Sequence, residues 1–180
     1  MMNILKSEFY KLKHTWIPWA HFILPVLYAL IFYGAATFTS LKNFSYMDIV
    51  LNYFVLLGAI LPIIFGVITS KVVDMEASAG RFQVILSTTK SRSKAYGGKL
   101  IMLLLSFLFS ISLAVFIFAM LFGNQATMAW LIELLLVFIG CLSTYMIHLW
   151  VSLMLGGGAS IGLGFVETLI VTPLSFTCKV

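Results

Sequence analysis

The sequence predicts an all-α integral membrane protein with about five transmembrane helices, an N-terminal helix on the membrane surface and one basic cytoplasmic loop. Three observations carry this prediction. Hydrophobic residues make up 62% of the chain and charged residues 9%, with a mean hydropathy of +1.09. Soluble domains carry about 25% charged residues, so these few could not cover a water-facing surface. The apolar residues fall in charge-free blocks long enough to cross a bilayer. Finally, nine of the eleven Lys and Arg residues lie within 1–15 and 71–99. Basic residues beside spanning helices mark the cytoplasmic side, and two apolar blocks separate the clusters. The chain is thus expected to be a multi-pass membrane protein with a cytoplasmic N-terminus.

Residues 1–15 come first. Leu5, Phe9, Leu12 and Trp16 recur at helical spacing as one apolar stripe flanked by Lys6, Lys11 and Lys13, the pattern of a helix lying in the interface. Pro18 offers a bend into the first span, 16–38, with Trp16 and Trp19 at the inner interface and Pro25 as a kink. That block is uncharged over residues 16–40, too long for a signal-peptide core of about 7–15 residues. A polar connection with Lys42, Asn43 and Asp48 leads to the second span, 49–70, which contains Pro62. Residues 71–99 form the loop, and the third and fourth spans cover 100–122 and 128–155. After Gly156-Gly157-Gly158 a fifth apolar segment, 159–175, either spans or re-enters. Its spacings Gly158-x-x-x-Gly162 and Gly156-x-x-x-Ser160-x-x-x-Gly164 are those of closely packed membrane helices.

The residues that could carry chemistry exclude several functions. Gly97-Gly98-Lys99 lacks the leading glycine of a phosphate-binding loop, and Leu100 stands where a hydroxyl would bind magnesium. No hydrolase or metalloprotease pattern occurs, so an enzyme is not expected. Cys141 and Cys178 form no disulfide framework or metal-ligand spacing. The formal charge of +5 is topogenic rather than a nucleic-acid-binding face, its natural partner being anionic membrane lipid. Glu133 lies near the outer end of its span. Glu167 falls near the middle of a fifth crossing, where a carboxylate is expensive, and is a candidate pathway or packing residue. His21 and His148 are read as lone interfacial histidines.

The loop is the strongest local signal. Asp74 and Glu76 precede a helix-compatible stretch, a favourable place for negative charge. Phe82, Ile85 and Leu86 share one helical face, and a Ser/Thr-rich basic run ends it at Arg92. A solvated loop explains the cations but not that apolar face, which suits a cytoplasmic partner.

With the opening Leu5-Lys6-Ser7-Glu8-Phe9-Tyr10-Lys11-Leu12-Lys13, the loop Glu76-x-x-x-Gly80-x-Phe82-x-x-x-Leu86-Ser87, Ser91-Arg92, Gly98-Lys99-Leu100 and the late Gly-Leu-Gly-Phe-Val-Glu of residues 162–167, the chain resembles the permease subunits of ABC-2 type transporters. More narrowly, it is similar to the lantibiotic immunity permeases of Gram-positive bacteria. Thr89 stands where the loop pattern usually has proline. The family resembled has six spans, and the sixth is apparently lacking here. The resemblance implies that the loop carries a coupling helix, with Glu76, Gly80, Arg81, Phe82, Leu86 and Arg92 contacting an ABC ATP-binding subunit and the N-terminal helix bracing it. It also implies a second permease subunit, homo- or hetero-dimeric, in a bacterial cell membrane, and a lantibiotic-type peptide substrate. No cofactor would bind this chain directly; ATP and magnesium would sit in the partner subunit. The alternatives are a stand-alone secondary transporter or channel using Glu167, and a truncated membrane protein that does not transport.

Overall fold

Six α-helices and no strand occur among the described residues of the computed structural model, which are 2–39, 43–78, 92–123 and 125–177. They are α1 (Met2–Lys13), α2 (Ile17–Phe38), α3 (Tyr46–Ser78), α4 (Arg92–Phe122), α5 (Thr127–Leu155) and α6 (Gly157–Thr177). Helices α2 to α5 are long and apolar enough to cross a membrane, and Gly157–Val171 of α6 is a shorter apolar helix.

Residues 71–99, expected as loop, are helical at both ends: α3 runs on to Ser78 and α4 already begins at Arg92. The 33 residues of α3 reach about 50 Å at 1.5 Å per residue, well beyond a hydrocarbon core of about 30 Å. Both helices overshoot at the end of the bundle where α1 lies. Asp74 and Glu76 therefore occupy the last turns of α3 rather than preceding a helix, which is the unfavourable end of its dipole. Their charges are answered by side chains: Ser70 Oγ donates to Asp74 at 3.4 Å, and lysines surround Glu76.

At the N-terminus the bend comes just before Pro18. Thr15 Oγ1 donates to the Leu12 carbonyl at 2.7 Å and accepts the Ile17 N–H at 3.3 Å. Pro18 then sits in the first turn of α2, where its missing N–H costs no bond, and Pro25 is accommodated within the same continuous helix. The expected apolar stripe of α1 is divided. Leu12 is buried, whereas Phe9 and Trp16 are exposed. The inward face is Leu12 with Glu8, a carboxylate that finds cations inside.

The backbones approach most closely in two pairs, α2 with α4 and α3 with α6, while α5 packs on α3, α4 and α6. Aromatic side chains join the pairs. Tyr53 stacks on Phe118 at 3.8 Å, donates its hydroxyl to the Ala114 carbonyl at 2.9 Å and receives the Tyr28 hydroxyl on its own carbonyl at 2.6 Å. Phe32 and Trp130 close edge-on around Phe118.

Gly156 makes the reversal into α6. Its φ of +91° and ψ of 164° define backbone open essentially to glycine alone. From there α6 runs antiparallel along α3: Gly157 meets Ser70, Gly66 meets Ser160, Gly164 meets the Pro62 carbonyl, and Thr168 Oγ1 donates to the Ala59 carbonyl at 2.8 Å. This is one unbroken helix, so 157–177 contains no re-entrant hairpin. The packed positions 157, 160 and 164 recur with a seven-residue period. Gly158 and Gly162, by contrast, face open space. Of the two small-residue spacings in the sequence, only the one through Ser160 and Gly164 lies in the contact.

Candidate functional site

Where α1 meets the overshooting ends of α3 and α4, four charges of zero net sum converge. Lys99 Nζ donates to Glu8 Oε2 at 2.7 Å and to Glu76 Oε1 at 2.5 Å, while Lys11 Nζ donates to Glu8 Oε1 at 2.6 Å and to Glu76 Oε1 at 3.3 Å. The Lys99, Glu8 and Glu76 side chains are 5%, 9% and 7% exposed; Lys11 is 41% exposed. Glu76 and Lys99 lie on the two helices that lead into and out of residues 79–91. The cluster thus clamps both stems of that segment to each other and to α1.

Burial opposes ionisation of Glu8, but the ammonium groups of Lys99 and Lys11 outweigh it and hold the carboxyl below its ordinary range. Burial likewise works against the charge on Lys11, and Glu8 and Glu76 overcome it, raising its pKa. Pairs buried to this depth gain from the low dielectric only if every member is paired.

A second polar assembly lies inside the bundle between α3, α5 and α6. His148, fully buried, places Nε2 3.2 Å from Glu167 Oε2 and Nδ1 2.8 Å from Ser160 Oγ. Ser160 Oγ lies 3.0 Å from Thr69 Oγ1, and Ser152 donates to Thr69 Oγ1 at 3.0 Å. Ser160 Oγ also lies 3.1 Å from the His148 carbonyl, so its single proton goes to that carbonyl or to Nδ1 according to the tautomer of the ring. A continuous hydrogen-bonded chain so runs from Glu167 to Ser152. His148 is therefore not the lone interfacial histidine expected from the sequence, because α6 folds back and brings it two partners. His21 keeps its backbone bond, Nδ1 to the Ile17 carbonyl at 2.9 Å.

Glu167→Leu is expected to strand His148 Nε2 and lower stability by about 1–3 kcal/mol, whereas Glu167→Gln still offers an acceptor and costs under about 1 kcal/mol. Thermal unfolding of the purified variants in one detergent checks this; equal losses would mean that the pair is not formed.

Of the residues proposed to contact a partner, Glu76 stands in the charge cluster, and Arg92 opens α4. Gly80, Arg81, Phe82 and Leu86 lie outside the described residues. The sequence reading missed Glu8, Lys11 and Lys99 as a unit. The available signal was that Glu8 shares a helical face with Leu12, while Glu76 and Lys99 flank one segment. Among the described residues no group of three or more His, Cys, Asp or Glu is placed to hold a metal ion.

Residues 4–173 match the family model described as ABC-2 family transporter protein. The chain belongs to the ABC-2 transporter family. No curated protein and no solved structure matches it significantly. As an ABC-2 permease it is a multi-pass membrane subunit, and its family implies an ABC ATP-binding partner. The all-helical bundle fits that assignment, and the permease's clamped stems lie where the loop expected to meet such a partner begins and ends.

Proposed function

We propose that this permease works in an ATP-driven exporter giving immunity to lantibiotics or similar antimicrobial peptides. Its N-terminus is cytoplasmic and residues 76–92 couple it to a separate ATP-binding subunit, which holds ATP and magnesium. A second permease subunit completes the translocation unit. The observation that carries this reading is the buried Glu8–Lys99–Glu76–Lys11 cluster. A force applied to residues 79–91 reaches Glu76 and Lys99 together, and through Glu8 it reaches α1. The clamp ties one helix of the α2/α4 pair to one of the α3/α6 pair, so a pull on it moves both pairs together. The cargo assignment rests on the sequence resemblance alone.

Co-purification with the ATP-binding subunit tests the coupling segment. Phe82→Ala and Arg92→Ala should each reduce the captured subunit about tenfold, as expected when an interface anchor is truncated. Full retention by both variants would remove the assignment, as would labelling of an engineered cysteine at Ser87 from outside intact cells by a membrane-impermeant reagent. Peptide resistance should require both subunits.

The polar chain from Glu167 to Ser152 favours a second reading, a proton-coupled carrier acting alone. That reading requires resistance to persist without the ATP-binding subunit, and to be lost in Glu167→Gln while the protein stays folded.

A further inference from the structure

The chain has six carboxylates, and each is engaged somewhere other than at Lys13. Glu8 and Glu76 are taken up by Lys11 and Lys99, and Glu167 lies beside His148. Glu133 accepts from Gln125, Asp48 from Ser45 and Asp74 from Ser70. Lys13 is exposed and forms no ion pair or hydrogen bond among the described residues. Two residues beyond Lys11 on a helix of 3.6 residues per turn, it points to nearly the opposite side of α1. Its place in the last turn suits the helix dipole, but its counter-ion comes from outside the described residues.

This cation lines a groove of about 450 Å³ between α1, the start of α2 and α4. Phe9 and Leu12 of α1, Pro18 of α2, and Leu105 and Phe109 of α4 form much of the wall. No carboxylate lines the groove, and Lys13 is its only lysine or arginine. Lys99, bonded to Glu8, marks the level of α1 along α4. At 1.5 Å per residue, Leu105 and Phe109 lie about 9 and 15 Å further along that helix. That depth is comparable with one leaflet's hydrocarbon, half of a core of about 30 Å. Phe9, Leu105 and Phe109 are exposed, so the groove opens towards lipid. Trp16 and Trp19, exposed beside it, are of the type enriched where membrane meets water.

We infer that this groove holds one anionic phospholipid of the leaflet in which α1 lies. The phosphate pairs with the Lys13 ammonium, and the upper part of one acyl chain follows Leu105 and Phe109. The charge balance specifies the occupant. A zwitterionic lipid brings its own ammonium, for which the groove has no carboxylate. A free phosphate would meet Lys13 but leave the apolar walls uncovered. The lysine stem can lie along those walls while its head stays at the polar surface, and basic pockets between membrane helices take anionic headgroups. The volume admits a headgroup and the start of a chain; the rest of the lipid stays in the bilayer. This site lies beyond the coupling reading and depends neither on the cargo nor on the ATP-binding subunit.

The test uses the full chain in a non-ionic detergent, given equimolar phosphatidylglycerol and phosphatidylcholine with the same acyl chains. Native mass spectrometry counts the lipid that stays bound. One phosphatidylglycerol per chain should be retained, about fivefold ahead of phosphatidylcholine, the weight of one lysine beside anionic lipid. Lys13→Gln should bring the two lipids to parity, and Lys13→Arg should keep the preference. Because Lys13 is exposed, Lys13→Gln should melt close to wild type when no lipid is added. Lys6→Gln removes another exposed cation of α1 that does not line the groove, and should leave the preference as it is. Leu105→Trp, at a position 46% exposed, fills the groove and should lower phosphatidylglycerol retention about fivefold although Lys13 is intact. Equal retention of the two lipids by wild type would overturn the site. So would equal losses in Lys6→Gln and Lys13→Gln, which mark general surface charge, or displacement of the lipid by inorganic phosphate. If Lys13→Gln lowers capture of the ATP-binding subunit and leaves lipid retention unchanged, this face belongs to that subunit instead.

Discussion

Lys99→Met is expected to destabilise the permease by about 3–5 kcal/mol, the cost of removing one partner from a buried ion pair. The physical reason is the state of what remains. Glu8 and Glu76, 9% and 7% exposed, would share only Lys11, whose side chain is 41% exposed and whose reach to Glu76 is 3.3 Å. Two carboxylates would face each other with half of their compensation gone. Neutralising them in turn should reverse much of the loss: Lys99→Met combined with Glu8→Gln and Glu76→Gln should be more stable than Lys99→Met alone, a non-additivity expected of residues in one network. Reversible unfolding in mixed micelles measures both. A change below about 0.5 kcal/mol in the single variant, the size of an exposed pair, would mean that water reaches the cluster and that it clamps nothing.

The same cluster sets a pH window. Glu8 titrates below its ordinary 4.5 in the folded state, so the unfolded chain binds more protons around that pH. Its contribution is fully present above about 4.5 and drains away as the pH falls through the lower folded value. Lys11, raised above 10.5, contributes fully below that pH and is lost as the solution becomes more alkaline than its folded pKa. Melting temperature plotted against pH should therefore fall at both extremes, and the acid limb should flatten in Glu8→Gln. An unchanged acid limb in that variant would assign the fall to other carboxylates.

The parts of this molecule that were legible in its sequence are those governed by composition over some twenty residues. Four spans stand out because their interiors carry no charge, Glu133 lying near the outer end of the fourth. The side on which α1, Lys71 and Lys99 gather follows from where the cations cluster. Helix ends were less legible, since Asp74, Glu76 and Lys99 are as compatible with a solvated loop as with helices projecting beyond the lipid. Only their mutual pairing distinguishes the two, and pairing between residues 23 apart leaves no periodic trace. The α1 stripe shows the same limit, for Glu8 counts as polar until Lys99 is known to lie beneath it. His148 is the sharpest case. Its partners lie 12 and 19 residues away across the reversal at Gly156, and a single histidine in an apolar run carries no sign of them. In α6 the small-residue period was visible but its phase was not, because glycines occupy 156, 157, 158, 162 and 164 and several faces would serve equally.

That phase yields opposite predictions two residues apart. A Cβ on Gly164 would stand 2.5 Å from the Pro62 carbonyl oxygen and 3.0 Å from Ile63 Cα. Both are backbone atoms, which cannot swing aside as a flexible side chain can, so α6 would have to lift off α3. Lifting strains the Thr168–Ala59 bond on one side, and on the other the Ser160–Thr69 bond that anchors the buried polar chain. Gly164→Leu should therefore cost about 3 kcal/mol, the upper end of typical overpacking, and disturb His148 in the process. Gly162 meets nothing within 4 Å. There alanine only relieves the conformational freedom of glycine in a helix, and Gly162→Ala should stabilise by about 0.5–1 kcal/mol. Gly66→Ala, approaching Ser160 from the α3 side at 2.7 Å, should behave like a substitution at 164 although it lies on another helix. Melting temperatures of the three variants decide the matter. If the 162 and 164 substitutions shift stability in the same direction, α6 does not pack on α3 in this register, and the neighbours assigned to Glu167 fall with it.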